Sequence, residues 1–260
     1  MTRPPATMAT APGSRMSTEP FPPQSTRLGP ARRVAFFDVD ETLISAKSMI
    51  DFWSWWAARE PGALPPLTTL LARARLGGSR AELNQDYYRA FAGLPEARLA
   101  AAGRGWYEDY RSHPDAFVVA TVSALYEHSA ARHAVVLVSG SHRACLEPLA
   151  EDLGADDILC TEQLTDASGR LTGETVRPMI GEAKAEAVHT FLTKAGLSTR
   201  DCFAYGDHSS DLSLLRSVGR ATVIGEDPVL LDHARREDWE RLSARTGPLP
   251  RRPRGGRHTA

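Results

Sequence analysis

The sequence predicts an α/β protein in which a parallel sheet is covered by helices on both faces and an all-helical segment is inserted after the first strand. Three observations lead there. The apolar run Val34-Ala35-Phe36-Phe37 stops abruptly at Asp38 and Asp40, as a strand buried on both faces does on reaching the rim of a sheet. From His133 onward short apolar runs alternate with amphipathic stretches, the order that builds parallel sheets. Between residues 45 and 131 the β-branched runs vanish and apolar residues recur at helical spacing.

In chain order, residues 1–32 are rich in Pro, Thr, Ser and Arg and poor in large apolar groups. They cannot bury enough surface to offset their ordering entropy, and a disordered tail is expected. The first strand follows at Val34–Phe37. Met49, Phe52, Trp53 and Trp56 then form one helical stripe, with Trp55 well off it, and Pro61-Gly62 ends that helix. A second helix is expected over 66–76, stopped by Gly77-Gly78, and Ser79 with Glu82 makes a capping box for a third over 80–92. Pro95 suits the first turn of a fourth helix ending before His113-Pro114, and a fifth covers 115–129.

Strands are then expected at 134–138, 157–160, 201–205 and 221–224. Between them fall helices at Arg143–Leu153, at 182–194 before Gly196, near Ser210 and at 228–239. The turn residues Asp166-Ala167-Ser168-Gly169 mark a β-hairpin within 161–176. From Thr246 the text returns to Pro, Arg and Gly, so residues 244–260 are read as a disordered basic tail.

With 260 residues the chain makes one or two domains, and a net charge of -1 gives no electrostatic case for nucleic acid. Cys145, Cys160 and Cys202 lack C-x-x-C spacing, which argues against a zinc site or disulfide framework and suits a reduced, cytoplasmic setting. No apolar run before Arg33 has the length of a signal peptide or spanning helix, so no membrane partner is expected.

Chemistry is placed at the end of the first strand, because ligands of open α/β sheets sit beyond the carboxyl ends of the strands. Asp38 and Asp40 would converge there, and neither stays ionised cheaply without a cation or a proton. Hard oxygen ligands suit Mg²⁺, usually completed by water and substrate phosphate. Further signals follow in fixed order: Val138-Ser139-Gly140-Ser141 after an apolar run, Lys184 at a helix start, and Tyr205-Gly206-Asp207-His208-Ser209-Ser210-Asp211 after another strand.

Together these motifs resemble the haloacid dehalogenase-like (HAD) phosphohydrolases, most closely their phosphoserine-phosphatase-like branch, subfamily IB. The resemblance implies a Rossmann-like core over 33–45 and 130–243, with a helical cap over 46–129 that closes on the substrate. It implies a Mg²⁺-dependent phosphatase acting on a small-molecule phosphate ester through an aspartyl-phosphate. Asp38 would be the nucleophile and Asp40 the general acid and base. Thr42, Ser139, Gly140 and Lys184 would hold phosphate. The metal would take Asp38, the backbone carbonyl of Asp40, and Asp207, with Asp211 and Ser210 in support.

The chain departs from phosphoserine phosphatases at two places. Lys47 stands where they place a glutamate for the substrate's amino group, and Ser210 where they usually have asparagine. Phosphoserine is therefore not the expected substrate, and an anionic or hydroxyl-rich one, such as a sugar phosphate, suits Lys47. Trp55 is a second candidate for substrate selection, since it lies off the buried stripe. Rival readings are a phosphotransferase of the same family, a metal-dependent glycosyltransferase built on Asp-x-Asp, and a binding protein on a retired catalytic fold. The glycosyltransferase would require neither Lys184 nor the pair Asp207 and Asp211, and the binding protein would have lost one of the acidic groups.

Overall fold

The computed structural model describes residues 33–69, 72, 77 and 80–252. The expectations for residues 1–32 and 253–260, for most of the helix over 66–76 and for Ser79 lie outside them. Strand β1 (Val34–Phe37) precedes the inserted helices α1 (Ser48–Arg59), α2 (Arg80–Arg89) and α3 (Glu96–Tyr110). A short strand β2 (Phe117–Val118) leads into α4 (Val119–Ala130), β3 (Ala134–His142), α5 (Arg143–Leu153) and β4 (Asp157–Thr161). The expected hairpin forms from β5 (Gln163–Thr165) and β6 (Leu171–Thr175). Alternation resumes with α6 (Glu182–Ala195), β7 (Phe203–Gly206), α7 (Leu212–Arg216), β8 (Arg220–Ile224), α8 (Pro228–Glu237), β9 (Glu240–Leu242) and β10 (Thr246–Gly247).

Six strands form one parallel sheet in the order β4-β3-β1-β7-β8-β9. The chain winds from β1 to one edge, then returns to β1 and winds to the other. A crevice opens where the winding reverses, at the carboxyl end of β1. Successive side chains of a strand point to opposite faces. Accordingly Ala35 and Phe37 join one apolar cluster with α4, α5 and the inserted helices, while Val34 and Phe36 join another with Val188, Phe191 and Leu192 of α6. Burial on both faces explains why β1 reads as an unbroken apolar run.

The stripe expected on α1 is in place: Phe52, Trp53 and Trp56 are buried among Tyr87, Phe91 and Trp106. The segments that enter and leave the insertion are tied together, with Val118 N donating to Leu43 O at 2.9 Å and Ser45 N to Ala116 O at 2.9 Å. Among the described residues no helix is long and apolar enough to cross a membrane.

Three expectations are corrected. The helix expected over 115–129 starts only at Val119, because Phe117 and Val118 are drawn into strand pairing with Thr246 and Gly247. The helix expected over 228–239 ends at Glu237, where Asp238 takes a left-handed conformation (φ 53°), and Glu240–Leu242 pairs with β8 as the sheet's sixth strand. The C-terminal tail is ordered as far as Arg252 within the described residues. β10 pairs antiparallel with β2, and Arg252 donates to Asp152 O at 2.9 Å while its guanidinium lies over the Tyr126 ring. Composition pointed to a solvated segment, but backbone pairing does not depend on apolar side chains and left no mark in it.

Helices α3 and α5 approach so closely at Gly103 that a Cβ there would stand 1.9 Å from Ala144 O. In an open helix Gly→Ala stabilises by about 1 kcal/mol. Here the sign reverses, because the methyl meets backbone and the helices must separate. Gly103→Ala should cost about 2–3 kcal/mol, read as a lower denaturant midpoint; an unchanged or higher midpoint would show that the helices part without cost.

Candidate functional site

The carboxyl end of β1 carries the ladder one residue beyond the strand, since Asp38 N donates to Tyr205 O of β7 at 2.9 Å. The chain then turns sharply around Val39, whose carbonyl accepts from the backbone of Leu43 at 2.9 Å and Ile44 at 3.1 Å. Glu41 takes a left-handed conformation (φ 61°) in this turn, a strained choice for a residue with a side chain. The turn separates the two aspartates that the sequence spaces so closely. Asp38 points to Lys184, whereas Asp40 accepts from Ser48 N at 3.0 Å at the start of α1.

Lys184 lies in the first turn of α6, buried, and its ammonium donates to Asp38 and, at 2.6 Å, to Asp211. Asp211 reaches it because the turn after β7 folds back over Gly206, where a Cβ would stand 2.8 Å from Asp211 Cβ. Asp207 accepts from the Thr42 hydroxyl at 3.1 Å, joining the loops after β1 and β7. His208 and Ser210 stabilise that turn locally, with Ser210 N donating to His208 Nδ1 at 3.1 Å. Oxygens of Asp38, Asp207 and Asp211 all lie within 4.8 Å of one another; the Asp40 carboxylate stands outside this trio.

So much negative charge shows in the titration of the site. Burial first, then Asp211, pushes the Asp38 carboxyl well above the usual carboxylate range, against the pull of Lys184. Burial and Asp211 push Asp207 up to about 6. Burial also raises Asp40, opposed by hydrogen bonding from Ser48. Burial alone would lower the Lys184 ammonium, but Asp211 and Asp38 outweigh it and hold it above the usual lysine range. One ammonium against the oxygen trio leaves a deficit of positive charge. Hard oxygen donors with that deficit fit a divalent cation.

Ser139 is buried within β3, where the pairing with β4 becomes irregular, its hydroxyl accepting from Ser141 N at 3.1 Å. The Gly140 carbonyl accepts from Asn84 Nδ2 at 3.0 Å, Tyr88 OH at 3.0 Å and Thr161 Oγ1 at 2.9 Å, which pins this part of β3 to α2 and β4. These groups close a cavity of about 460 Å³ between the sheet rim and α1 and α2. Asp38, Asp40, Ser139, Gly140, Lys184, Asp207, Ser210 and Asp211 all line it. Thr42 touches it only through Asp207.

Lys47 also lines the cavity, but at its mouth, where its ammonium pairs with Glu41 at 3.1 Å. Trp55 does not take the place expected of it. It packs over Gly105 on the outer side of α1, donates to Asp109 at 2.8 Å and carries the Arg59 guanidinium 4.3 Å from its ring centroid. An indole off the buried stripe of α1 faces α3 instead of the substrate space. Sequence reasoning missed the far wall, above all Leu83, Asn84 and Tyr87 of α2. Asn84 carried no signal either, since it stands beside Gln85 and Asp86 in the sequence and only the fold buries its amide.

Comparison with known proteins agrees with this geometry. The pattern that defines the haloacid dehalogenase-like hydrolases matches residues 35–216. The chain belongs to this family. Among HAD-like relatives, a Streptomyces azureus protein named for inhibition of morphological differentiation is 30% identical over 220 residues, covering 80% of this chain and 77% of the relative. A Mycobacterium tuberculosis protein named phosphoserine phosphatase is 31% identical over 217 residues, covering 79% and 69%. Among solved HAD-like folds, a Bordetella pertussis Tohama I protein of unknown function superposes with a TM-score of 0.73 at 25% identity, over 82% of this chain and 99% of that one.

Proposed function

We propose that the chain is a Mg²⁺-dependent phosphatase that hydrolyses a small phosphate monoester through an aspartyl-phosphate on Asp38. The observation that carries this reading is the placement of Asp38 in one buried cluster with Lys184, Asp207 and Asp211 at the crevice of the sheet. A phosphoserine phosphatase among the relatives supports it. Lys184 takes one oxygen of Asp38 and fixes the carboxylate so that the other attacks phosphorus in line. As that bond forms, the bond to the ester oxygen breaks, and Asp40 gives its proton to the departing alkoxide. Burial raises the Asp40 carboxyl above its ordinary value, the direction that a general acid requires. Asp40 then takes a proton from water, the water attacks phosphorus, and Asp38 is released with inorganic phosphate.

Mg²⁺, held by Asp38, Asp207 and the backbone carbonyl of Asp40, would neutralise charge on the transferring oxygens. Ser139 and the backbone around Gly140 would supply donors for those oxygens, Thr42 holds Asp207, and Asp211 keeps Lys184 in place. A glycosyltransferase has no use for a buried lysine shared by two carboxylates. The test is phosphate release from an aryl phosphate with and without Mg²⁺, followed by borohydride reduction during turnover. Homoserine at position 38 is the expected product of the trapped acyl phosphate. Release without Mg²⁺, or trapping elsewhere, would overturn the mechanism.

Asp207→Asn checks the metal assignment. It should raise the Mg²⁺ concentration at half-maximal rate at least about tenfold. The stability sign is also fixed. With a folded value of about 6 against 3.8 unfolded, Asp207 contributes stability present below about pH 4 and lost as pH rises through 6. In EDTA the variant should therefore melt higher than the wild type at pH 7 and equally at pH 4. Unchanged half-saturation together with an unchanged melting temperature at pH 7 would remove Asp207 from the site.

A further inference from the structure

We infer that the alcohol half of the substrate is uncharged and largely apolar, an alkyl or aryl group and not an amino acid or sugar; this rests on the phosphatase reading above. The cavity is two-sided. Its ionised groups crowd at the rim of the sheet, where Asp38, Lys184 and Asp211 satisfy one another. The opposite walls are Met49 and Ile50 of α1, Leu83 and Tyr87 of α2, and Met179 and Ile180 just before α6.

Apart from the buried Oδ1 of Asn84, which has no partner among the described residues, the polar handles on that side are turned away or already used. The Tyr87 hydroxyl meets His142 Nε2 at 3.2 Å, and burial pushes His142 down to about 3, so a neutral pair is locked behind the ring. The cavity thus receives the aromatic face and not the phenol. Asn84 Nδ2 is taken by Gly140 O at 3.0 Å and Met49 Sδ at 3.5 Å. The remaining charges at the mouth, Glu41 and Lys47, pair with each other at 3.1 Å, so the mouth carries no net charge to select an ammonium or a carboxylate. That pairing weighs against the anionic or sugar-like leaving group expected from Lys47.

Ile50 adds an independent sign. It is a large aliphatic side chain, 37% exposed, at the edge of a site that a polar ligand would gain nothing from lining with isoleucine. A volume of about 460 Å³ accommodates a phosphate with a medium-length alkyl or a single aromatic ring.

The experiment measures kcat/KM at saturating Mg²⁺ for methyl, butyl and hexyl phosphate, and for phosphoserine and glucose 6-phosphate. Leaving-group basicity barely changes along the aliphatic series, so differences report binding carried into the transition state. Each methylene buried should raise kcat/KM roughly threefold, placing hexyl phosphate about two hundredfold above methyl, and both polar esters below butyl. Ile50→Asp, at an exposed position that leaves the core untouched, should reduce the hexyl-to-methyl ratio at least about fivefold. A flat chain-length profile, or a highest value on phosphoserine or glucose 6-phosphate, would overturn the inference and leave the phosphatase reading intact. Failure to release phosphate from any ester would overturn both.

Discussion

Asp38→Asn should yield a folded protein that releases phosphate from an aryl ester at least about a thousandfold more slowly than the wild type, a loss of roughly 4 kcal/mol in transition-state stabilisation. The amide keeps the shape of the carboxylate but cannot form the acyl phosphate. Folding should not suffer, because Lys184 retains Asp211 as a partner at 2.6 Å and a buried charge pushed upward by its surroundings has been removed. In EDTA the variant should be at least as stable as the wild type at pH 7. The decisive combination is single-turnover phosphate release beside the melting curve. Near-normal release by the pure variant would transfer the nucleophile elsewhere, and a collapsed melting curve would mean that Asp38 belongs to the scaffold.

Lys184→Met carries the largest expected loss of stability. Removing the ammonium leaves Asp38 and Asp211 buried beside each other with no protein cation between them. Breaking a buried pair from one side costs about 3–5 kcal/mol. In the wild type Lys184 is held above its unfolded value, so its contribution is complete below that value and lost only in strongly alkaline solution as pH rises through the folded one. The Asp38 carboxyl titrates instead. In the variant Asp38 loses the neighbour that opposed its upward push, so its folded value stands still further above the unfolded one. Stability of the variant is then retained at about pH 4 and lost as pH rises toward neutrality. Denaturation in EDTA at pH 4.5 and 7.5 measures the difference. A deficit that is the same at both pH values would mean that packing, and not charge, gives Lys184 its role.

Much of the site was legible because its chemistry sits where the chain must change direction. Val34–Phe37 announces a buried strand, and Asp38 marks its end without ambiguity. Lys184 was legible only through its place in the order of motifs, since a helix-start lysine is ordinarily solvated and nothing local signals its burial at 5% exposure. The far wall was hidden for a different reason. Leu83 and Tyr87 look like any apolar positions of a helix, and only the tertiary fold decides which of them face a cavity and which face a core. The separation of Asp38 from Asp40 was equally invisible, because the left-handed Glu41 that opens the turn is not a glycine. β9 escaped for want of apolar alternation in Glu240–Leu242, a short edge strand with a single apolar residue.

β1 is the first strand to be made and among the last to be completed. Val34 pairs with Ala134 and Ala35 with Phe203, so the central strand waits for most of the sheet before either edge of its backbone is satisfied. Contacts of such sequence separation close large loops and form slowly, whereas α1, α2 and α3 fold on local contacts in the interval. The partners of the Asp38 carboxylate, Lys184 and Asp211, are synthesised later still than β3. A growing chain thus presents helices long before it presents a competent acid cluster. The cluster around Asp38 is therefore complete only when the chain as far as Asp211 has been made and the sheet has closed on both sides of β1.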